Sequence, residues 1–94
     1  MKVYISGPIT GMKDGNKPEF DRVAKLFGTD AVNPFDIPCE DKTWRGYMKA
    51  DITELVKCDY IAMLRGWWHS KGAWVELLIS KLLGIKILWR REYE

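Results

Sequence analysis

The chain has 94 residues, of which 47% are hydrophobic and 30% are charged, and its formal net charge is +2. This composition is that of one small globular domain covering residues 1–94, and it excludes intrinsic disorder. So small a positive charge gives no electrostatic basis for binding a nucleic-acid polymer, and no apolar run is long enough to span a membrane.

Localisation and metal binding are constrained by two further features. The apolar run near the N-terminus, Val3–Ile5, has three residues, whereas a signal peptide needs roughly 7–15. We therefore expect a cytoplasmic protein. Cys39 and Cys58 form no Cys-x-x-Cys pair, and the chain has one histidine. This pattern favours two free thiols over a zinc site, and we expect neither a metal nor a cofactor.

The first predicted elements are a strand and a helix. Val3–Ser6 is a short apolar run that predicts a buried strand, and a glycine-rich loop follows over residues 7–15. Asn16 predicts the N-cap of a helix, in a capping box with Glu19. Gly28 predicts the end of this helix. The predicted apolar stripe of the helix consists of Phe20, Val23, Ala24 and Phe27.

A weak strand and a second helix follow. Residues 30–32 predict a short strand, which ends at Asn33 because a proline comes next. Residues 35–42 carry several acidic residues and a proline and predict a loop. Thr43 then predicts the N-cap of a helix that runs to about residue 57.

The last third of the chain predicts two strands around a third helix. Residues 58–64 predict a strand and residues 65–69 a loop. Ser70 predicts the N-cap of a helix that ends near Gly84. Residues 85–89 predict the last strand.

This order of elements, with a polar tail at residues 90–94, is a repeated alternation of strand and helix. Such alternation predicts a three-layer α/β/α domain with a parallel four-stranded sheet. Right-handed crossovers with one reversal give the strand order 2-1-3-4 of a flavodoxin-like fold. Ligands of such folds bind beyond the carboxyl ends of the strands at the reversal point. Here that place corresponds to the loops at residues 7–15 and 65–70.

An acidic residue interrupts the apolar face of the second helix. On a helical wheel, Asp51 falls among the stripe residues Trp44, Tyr47, Met48, Ile52 and Leu55. Burying a carboxylate without a partner is costly, so an acid in this position has either a partner or a chemical role. The alternatives are that the helix is rotated to bring Asp51 to the rim, or that backbone N–H groups satisfy it.

The third helix shows the same anomaly. Apolar residues cover nearly all of its circumference, which predicts burial on more than one side and hence a homodimer. Glu76 falls within this apolar surface, in the second turn of the helix. Its structural alternatives are a preference for negative charge near the helix N-terminus or a salt bridge.

The loop before this helix carries two features that have both structural and functional interpretations. Ser70 is an ordinary cap, and a capped helix N-terminus with Gly72 close by also suits an anion. Trp67 and Trp68 either stack on a base or ribose or cover the core or an interface.

Together, several motifs resemble a known family. They are Tyr4-Ile-Ser-Gly-Pro-Ile-Thr-Gly11, Asn33-Pro34, Asp51 with Cys58-Asp59, and Ser70-x-Gly-Ala-x-x-Glu76. The chain resembles the nucleoside 2-deoxyribosyltransferase-like superfamily and, within it, the small phage and bacterial proteins grouped as DUF4406. The resemblance covers nearly the whole chain.

The resemblance implies roles for individual residues. Glu76 matches the nucleophile that attacks the anomeric carbon of a deoxyribose, and Asp51 matches the acid that orients the sugar and protonates the leaving base. Ser70 matches a serine that contacts the phosphate in deoxynucleoside 5′-monophosphate hydrolases. Those hydrolases carry an arginine in the first loop, where this chain has Thr10. Tyr4 and Gly7 match positions that line the pocket. With the loop residues, the candidate substrate-binding residues are Tyr4, Gly7, Pro8, Ile9, Thr10, Gly11, Asn33, Trp67, Ser70 and Gly72.

These residues lead to one expected function with alternatives. Two inward carboxyl groups suit N-glycosidic bond cleavage, because one captures the cationic carbon while the other assists the departing base. We expect a hydrolase or deoxyribosyltransferase whose partner is a small-molecule nucleoside or nucleotide. The alternatives are a catalytically inactive nucleotide-binding module and an interaction protein whose aromatic residues form an interface.

Overall fold

The computed structural model describes residues 1–94. Four strands alternate with three long helices, and a short helix ends the chain. Short 3₁₀ turns lie before α1 and in the loops after α1, β2 and β3. The elements are β1 Val3–Ser6, α1 Lys17–Phe27, β2 Ala31–Val32, α2 Trp44–Leu55, β3 Tyr60–Met63, α3 Lys71–Leu83, β4 Lys86–Leu88 and α4 Arg90–Tyr93.

The four strands form one parallel sheet in the order β2-β1-β3-β4, which confirms the predicted fold class. In the register of the sheet, Val3 pairs with Ala31 on one side and with Tyr60 on the other. Tyr60 in turn pairs with Lys86. The order reverses between β1 and β3, so the carboxyl ends of these two strands frame the position where such folds bind ligands.

Side chains of β1 alternate between two apolar clusters, one on each face of the sheet. Tyr4 belongs to the cluster formed with α2 and α3, whereas Ile5 packs with Phe20 and Val23 of α1. This alternation follows from the two-residue period of a strand. Ser6 therefore projects to the same face as Tyr4, towards α2 and α3.

Several predicted boundaries are wrong by one or two residues. The helix α2 ends at Leu55 rather than near residue 57. Each of the last three strands is shorter than predicted, because the flanking residues lie beyond the paired register. Cys58, for example, precedes β3 and is buried against the core. Both cysteines are free thiols, as predicted.

The predicted capping box at the start of α1 is wrong. Asn16 has a left-handed backbone (φ 66°), and its side chain makes no capping hydrogen bond. The preceding 3₁₀ turn contains two further residues with positive φ, Asp14 and Gly15, so the chain enters the helix from a direction that the capping box does not allow. Glu19 instead accepts hydrogen bonds from Arg22.

The C-terminal residues, predicted to be a polar tail, form the short helix α4. The Tyr93 hydroxyl donates a 2.8 Å hydrogen bond to the Met63 carbonyl oxygen, and its ring packs 5.6 Å from that of Phe27. Arg22 and Arg90 both pair with the Glu94 carboxylate. Tyr93 thus holds α4 against the rest of the domain, although the other residues of this segment are charged.

No helix of the chain has both the length and the apolar content needed to cross a membrane. The outer face of α3 is nevertheless apolar and uncovered. Trp74, Leu78 and Leu82 of this face are 52%, 59% and 77% exposed. A continuous apolar strip of this kind is typical of an interface between subunits.

We expect the chain to form a two-fold dimer through this face of α3. Light scattering at tens of micromolar, a rough working range for an obligate interface, should report twice the monomer mass of 11.0 kDa. Leu78→Asp should convert the dimer to a monomer, whereas Leu26→Asp, at a 52% exposed position on α1, should not. A monomeric wild-type chain at this concentration would contradict the dimer.

Candidate active site

The centre of the candidate site is a buried carboxyl group. Glu76 lies in the second turn of α3 and is 6% exposed. The Tyr4 hydroxyl donates to its Oε2 atom and the Ser6 hydroxyl to its Oε1 atom, each over 2.7 Å. Both carboxyl oxygens therefore have a donor from the same strand. The Ser80 hydroxyl donates to the Glu76 carbonyl oxygen, one turn further along the helix.

Burial shifts the proton affinity of this group strongly. Removal from water raises the pKa of Glu76 from 4.5 to about 7, although the hydroxyls of Ser6 and Tyr4 partly oppose the shift by stabilising the ionised form. Asp51 raises the pKa of Glu76 further through charge repulsion. Burial and the same two carboxylates hold the pKa of Tyr4 well above its usual value, so its phenol remains a donor.

Asp51 is the second acid of the site. It lies on α2, half-buried, and removal from water raises its pKa from 3.8 to about 6. Its charge acts on both Glu76 and Tyr4, so the three groups form one electrostatic unit on the α2 and α3 face of the sheet. Both carboxyl groups therefore lose their protons closer to neutral pH than free carboxyl groups do.

The inward face of α2 differs from the predicted stripe. Met48 and Leu55 are buried, but Trp44 and Tyr47 are 47% and 44% exposed. The helix is therefore rotated, and Asp51 sits at the edge of the buried face rather than at its centre. This rotation is one of the two alternatives to a deeply buried acid, and it leaves Asp51 accessible to solvent.

The N-terminal ends of α2 and α3 meet at the carboxyl edge of the sheet. A methyl group built on Gly72 would lie 3.1 Å from the Met48 sulfur and 3.8 Å from the Trp44 indole nitrogen. The Lys71 ammonium lies 4.5 Å from the centre of the Trp44 ring. Gly72 thus permits close packing of the two helices, which brings Asp51 towards Glu76.

Ser70 is the N-cap of α3, as predicted. Its hydroxyl oxygen accepts a 3.1 Å hydrogen bond from the Ala73 N–H. Ser70→Ala should lower the free energy of unfolding by about 1 kcal/mol, the usual loss for a missing cap. Thr43→Ala, which removes the equivalent cap of α2, provides the matched comparison. A urea midpoint for Ser70→Ala equal to that of the wild type would show that the cap contributes nothing.

The first loop contains five of the predicted binding residues. Gly7 and Pro8 are buried, whereas Ile9, Thr10 and Gly11 are exposed. A methyl group on Gly7 would lie 2.6 Å from Cβ of Leu64, so glycine is required here for packing against the end of β3.

Two of the predicted binding residues make structural contacts. Asn33 is buried, donates to Asp21 and accepts from the Phe35 N–H, so its amide joins α1 to the turn after β2. Trp67 packs among other indole rings near the end of β4. Ser6 was missed. Its position two residues after Tyr4 on one strand was the available signal.

Two surface grooves lie apart from the acids. One is lined by residues of α2 and of the loop before it, from Pro38 to Thr53. The other, of about 560 Å³, is lined by tryptophans and arginines beyond β3 and β4. Neither groove includes Asp51 or Glu76. Nowhere in the chain do three or more His, Cys, Asp or Glu side chains come together as metal ligands would.

The model of one protein family, DUF4406, matches residues 1–89 of the chain. The chain belongs to the DUF4406 family. The description of DUF4406 is "domain of unknown function", so membership fixes the family and leaves the activity to be argued from the site. No curated protein matches the chain.

The acids of this DUF4406 chain make its stability depend on pH. Between pH 4.5 and 7 the unfolded state loses a proton from Glu76 that the folded state retains. Folding is therefore less favourable as pH rises through this window, by about 3 kcal/mol for a shift of this size. Glu76→Gln, measured by urea unfolding at several pH values, should gain stability relative to the wild type over the same window. An equal pH dependence of the two proteins would contradict the raised pKa.

Proposed function

We propose that this chain processes the N-glycosidic bond of a deoxynucleoside or a deoxynucleoside 5′-monophosphate, as a hydrolase or a base-exchanging transferase. In this proposal the chain is a member of the nucleoside 2-deoxyribosyltransferase-like superfamily and acts in the cytoplasm. The observation that carries the proposal is a buried glutamate whose two oxygens are each held by a hydroxyl, next to a second acid that shares its electrostatic environment.

Glu76 is the nucleophile of the proposed reaction, and Asp51 is the general acid. A Glu76 oxygen forms a bond to the anomeric carbon while the bond from that carbon to the base breaks. The electron pair of the broken bond goes to the base nitrogen, which takes a proton from Asp51. Water or a second base then attacks the same carbon, returns a proton to Asp51 and releases the Glu76 carboxylate.

Tyr4 and Ser6 position the nucleophile. Their 2.7 Å hydrogen bonds fix both oxygens of Glu76 near the carboxyl end of β1, where the strand order reverses. The two hydroxyls also stabilise the ionised carboxylate, against the effect of burial. The substrate approaches from the side of Asp51, because Asp51 is the more exposed of the two acids.

The proposed reaction has a defined protonation state. It requires one proton on the acid pair, since the doubly ionised pair has no acid and the doubly protonated pair has no nucleophile. The pKa is about 6 for Asp51 and about 7 for Glu76, so the singly protonated pair is most abundant between these values. Most of these protons lie on Glu76, because its pKa is the higher, and the reactive form is the minor one with the proton on Asp51. The rate should fall on both sides of this range.

Ser70 is the residue that would distinguish nucleotides from nucleosides. Its cap places a hydroxyl and the N-terminus of α3 together, and an anion is stabilised at such an end. Thr10 supplies no positive charge, so Lys13, Arg65 or Lys71 would have to supply it. None of the three has an acidic partner within 4.0 Å.

The proposed function is tested by incubating the protein with each deoxynucleoside and each deoxynucleoside 5′-monophosphate and separating the products by chromatography. We expect free base from at least one compound. If a compound binds but no free base is released from any of them, the chain is a nucleotide-binding module instead. If no compound binds or reacts, both functions are excluded.

A further inference from the structure

The groove beyond β3 and β4 is lined mainly by tryptophan and arginine side chains. It has a volume of about 560 Å³ and is lined by three tryptophans and three arginines, with Glu94 as the one acid among its lining residues. A volume between roughly 300 and 1,000 Å³ is typical of sites for small organic ligands.

The aromatic wall of the groove is fixed in place. Trp67 is half-buried, and its ring centre lies 4.7 Å from that of Trp74 and 5.8 Å from that of Trp89. Trp68 lies across Trp67 at an interplanar angle of 85° and is 53% exposed. The groove thus has a wall of packed indole rings and one exposed indole, that of Trp68. The exposed face of an indole stacks on planar rings.

The arginines of the groove divide into two kinds. Arg90 is 2.9 Å from Glu94, so its charge is already compensated. Arg65 and Arg91 are exposed and form no ion pair and no side-chain hydrogen bond. Two uncompensated guanidinium groups beside an aromatic wall suit one phosphate group, which they can bind with paired hydrogen bonds.

We infer that this groove binds one free nucleotide, with the base against Trp68 and the phosphate on Arg65 and Arg91. Two free arginines match the charge of a single phosphate monoester, about −1.5 to −2 at pH 7. A nucleic-acid strand would need a longer series of basic residues, and the chain has a net charge of only +2.

None of the residues that line the groove is Asp51, Glu76 or one of the two hydroxyl donors to Glu76. The inference therefore does not rest on the proposed function. A nucleotide held here would be a second ligand, bound whether or not the acids perform any chemistry.

The indole N–H signals of the five tryptophans in a ¹⁵N-labelled sample give a direct test. Wild type and Glu76→Gln are titrated in parallel with 2′-deoxyadenosine 5′-monophosphate, with deoxyadenosine and with inorganic phosphate. We expect the nucleotide to shift the signals of Trp67, Trp68 and Trp89 saturably and equally in both proteins. Deoxyadenosine and phosphate should each bind at least about tenfold more weakly, because each lacks one half of the interaction.

Substitutions in the groove complete the test. Arg65→Ala with Arg91→Ala should weaken nucleotide binding by about tenfold or more, and Trp68→Leu should do the same. Arg45→Ala is the matched control, because Arg45 is exposed on α2, has no ion-pair partner and lies outside the groove. Base release from a deoxynucleoside, which carries no phosphate, should be unchanged in Arg45→Ala and in a single Arg91→Ala variant.

Three results would overturn the inference. The first is unchanged nucleotide affinity in the double arginine variant. The second is a set of signal shifts that leaves out the three groove tryptophans. The third is a deoxyoligonucleotide that binds the same tryptophans at least about tenfold more tightly per site than the mononucleotide. Absence of base release with intact groove binding would instead contradict the proposed function alone.

Discussion

Glu76→Gln should reduce base release to the uncatalysed background. The amide keeps the shape of the side chain and can still form hydrogen bonds with Tyr4 and Ser6, but it has no negative charge with which to capture the anomeric carbon. Ligand binding should be retained, because the substitution changes neither the volume nor the packing of the site. Chromatography under conditions in which the wild type releases base measures the effect.

The matched control for this substitution is Glu54→Gln on α2. Glu54 pairs with Lys57 at the surface, and the substitution makes the same change in charge. It should release base at the wild-type rate. If Glu76→Gln also did so, the assignment of the nucleophile would be wrong. Unfolding curves of both variants at pH 8 verify that any loss of activity is not a loss of fold.

Asp51→Asn should slow base release by about 10²–10⁴-fold, the usual contribution of one general acid. The asparagine cannot transfer a proton to the departing base. The same substitution removes the charge that raises the pKa of Glu76, so Glu76 should ionise at a lower pH. In the wild type the acidic limb of the pH–rate profile follows the first proton lost by the pair, whereas in Asp51→Asn it follows Glu76 alone. This limb should therefore lie at or above its wild-type position, and the basic limb should disappear.

A substrate whose base is a good leaving group distinguishes a general-acid role of Asp51 from a purely structural role. A deoxynucleoside with a good leaving group needs no proton, so Asp51→Asn should process it at close to the wild-type rate. Asp36→Asn, at an exposed position outside the site, controls for the change in charge. A basic limb that persists in Asp51→Asn would show that Asp51 is not the general acid.

Local patterns predicted the elements that position the acids. The apolar run of β1 and the caps at Thr43 and Ser70 are properties of a few adjacent residues, so they were readable from the sequence. Alternation of strands and helices then determined the parallel sheet, because right-handed crossovers leave few topologies. Asp51 and Glu76 were found because each interrupts an apolar helical face.

The remaining features depend on tertiary packing. The rotation of α2 exposes Trp44, and no helical wheel gives the rotation of a helix against its neighbours. The left-handed backbone of Asn16 depends on the turn before it. The ordered position of Tyr93 could not be predicted, because the acceptor of its hydrogen bond, the Met63 carbonyl oxygen, lies on a strand distant in sequence. The groove tryptophans likewise come together only in the folded chain.

Formation of a bond between Glu76 and the sugar is tested most directly by peptide mass spectrometry of protein trapped during turnover. The wild type is mixed with the deoxynucleoside or deoxynucleotide that releases base fastest, quenched in acid within one turnover, and digested with protease. We predict an added deoxyribosyl group, with the phosphate if the substrate carried one, on the peptide containing Glu76, and no such group in Glu76→Gln. A modification on another residue, or base release with no modified peptide at any quench time, would contradict the account.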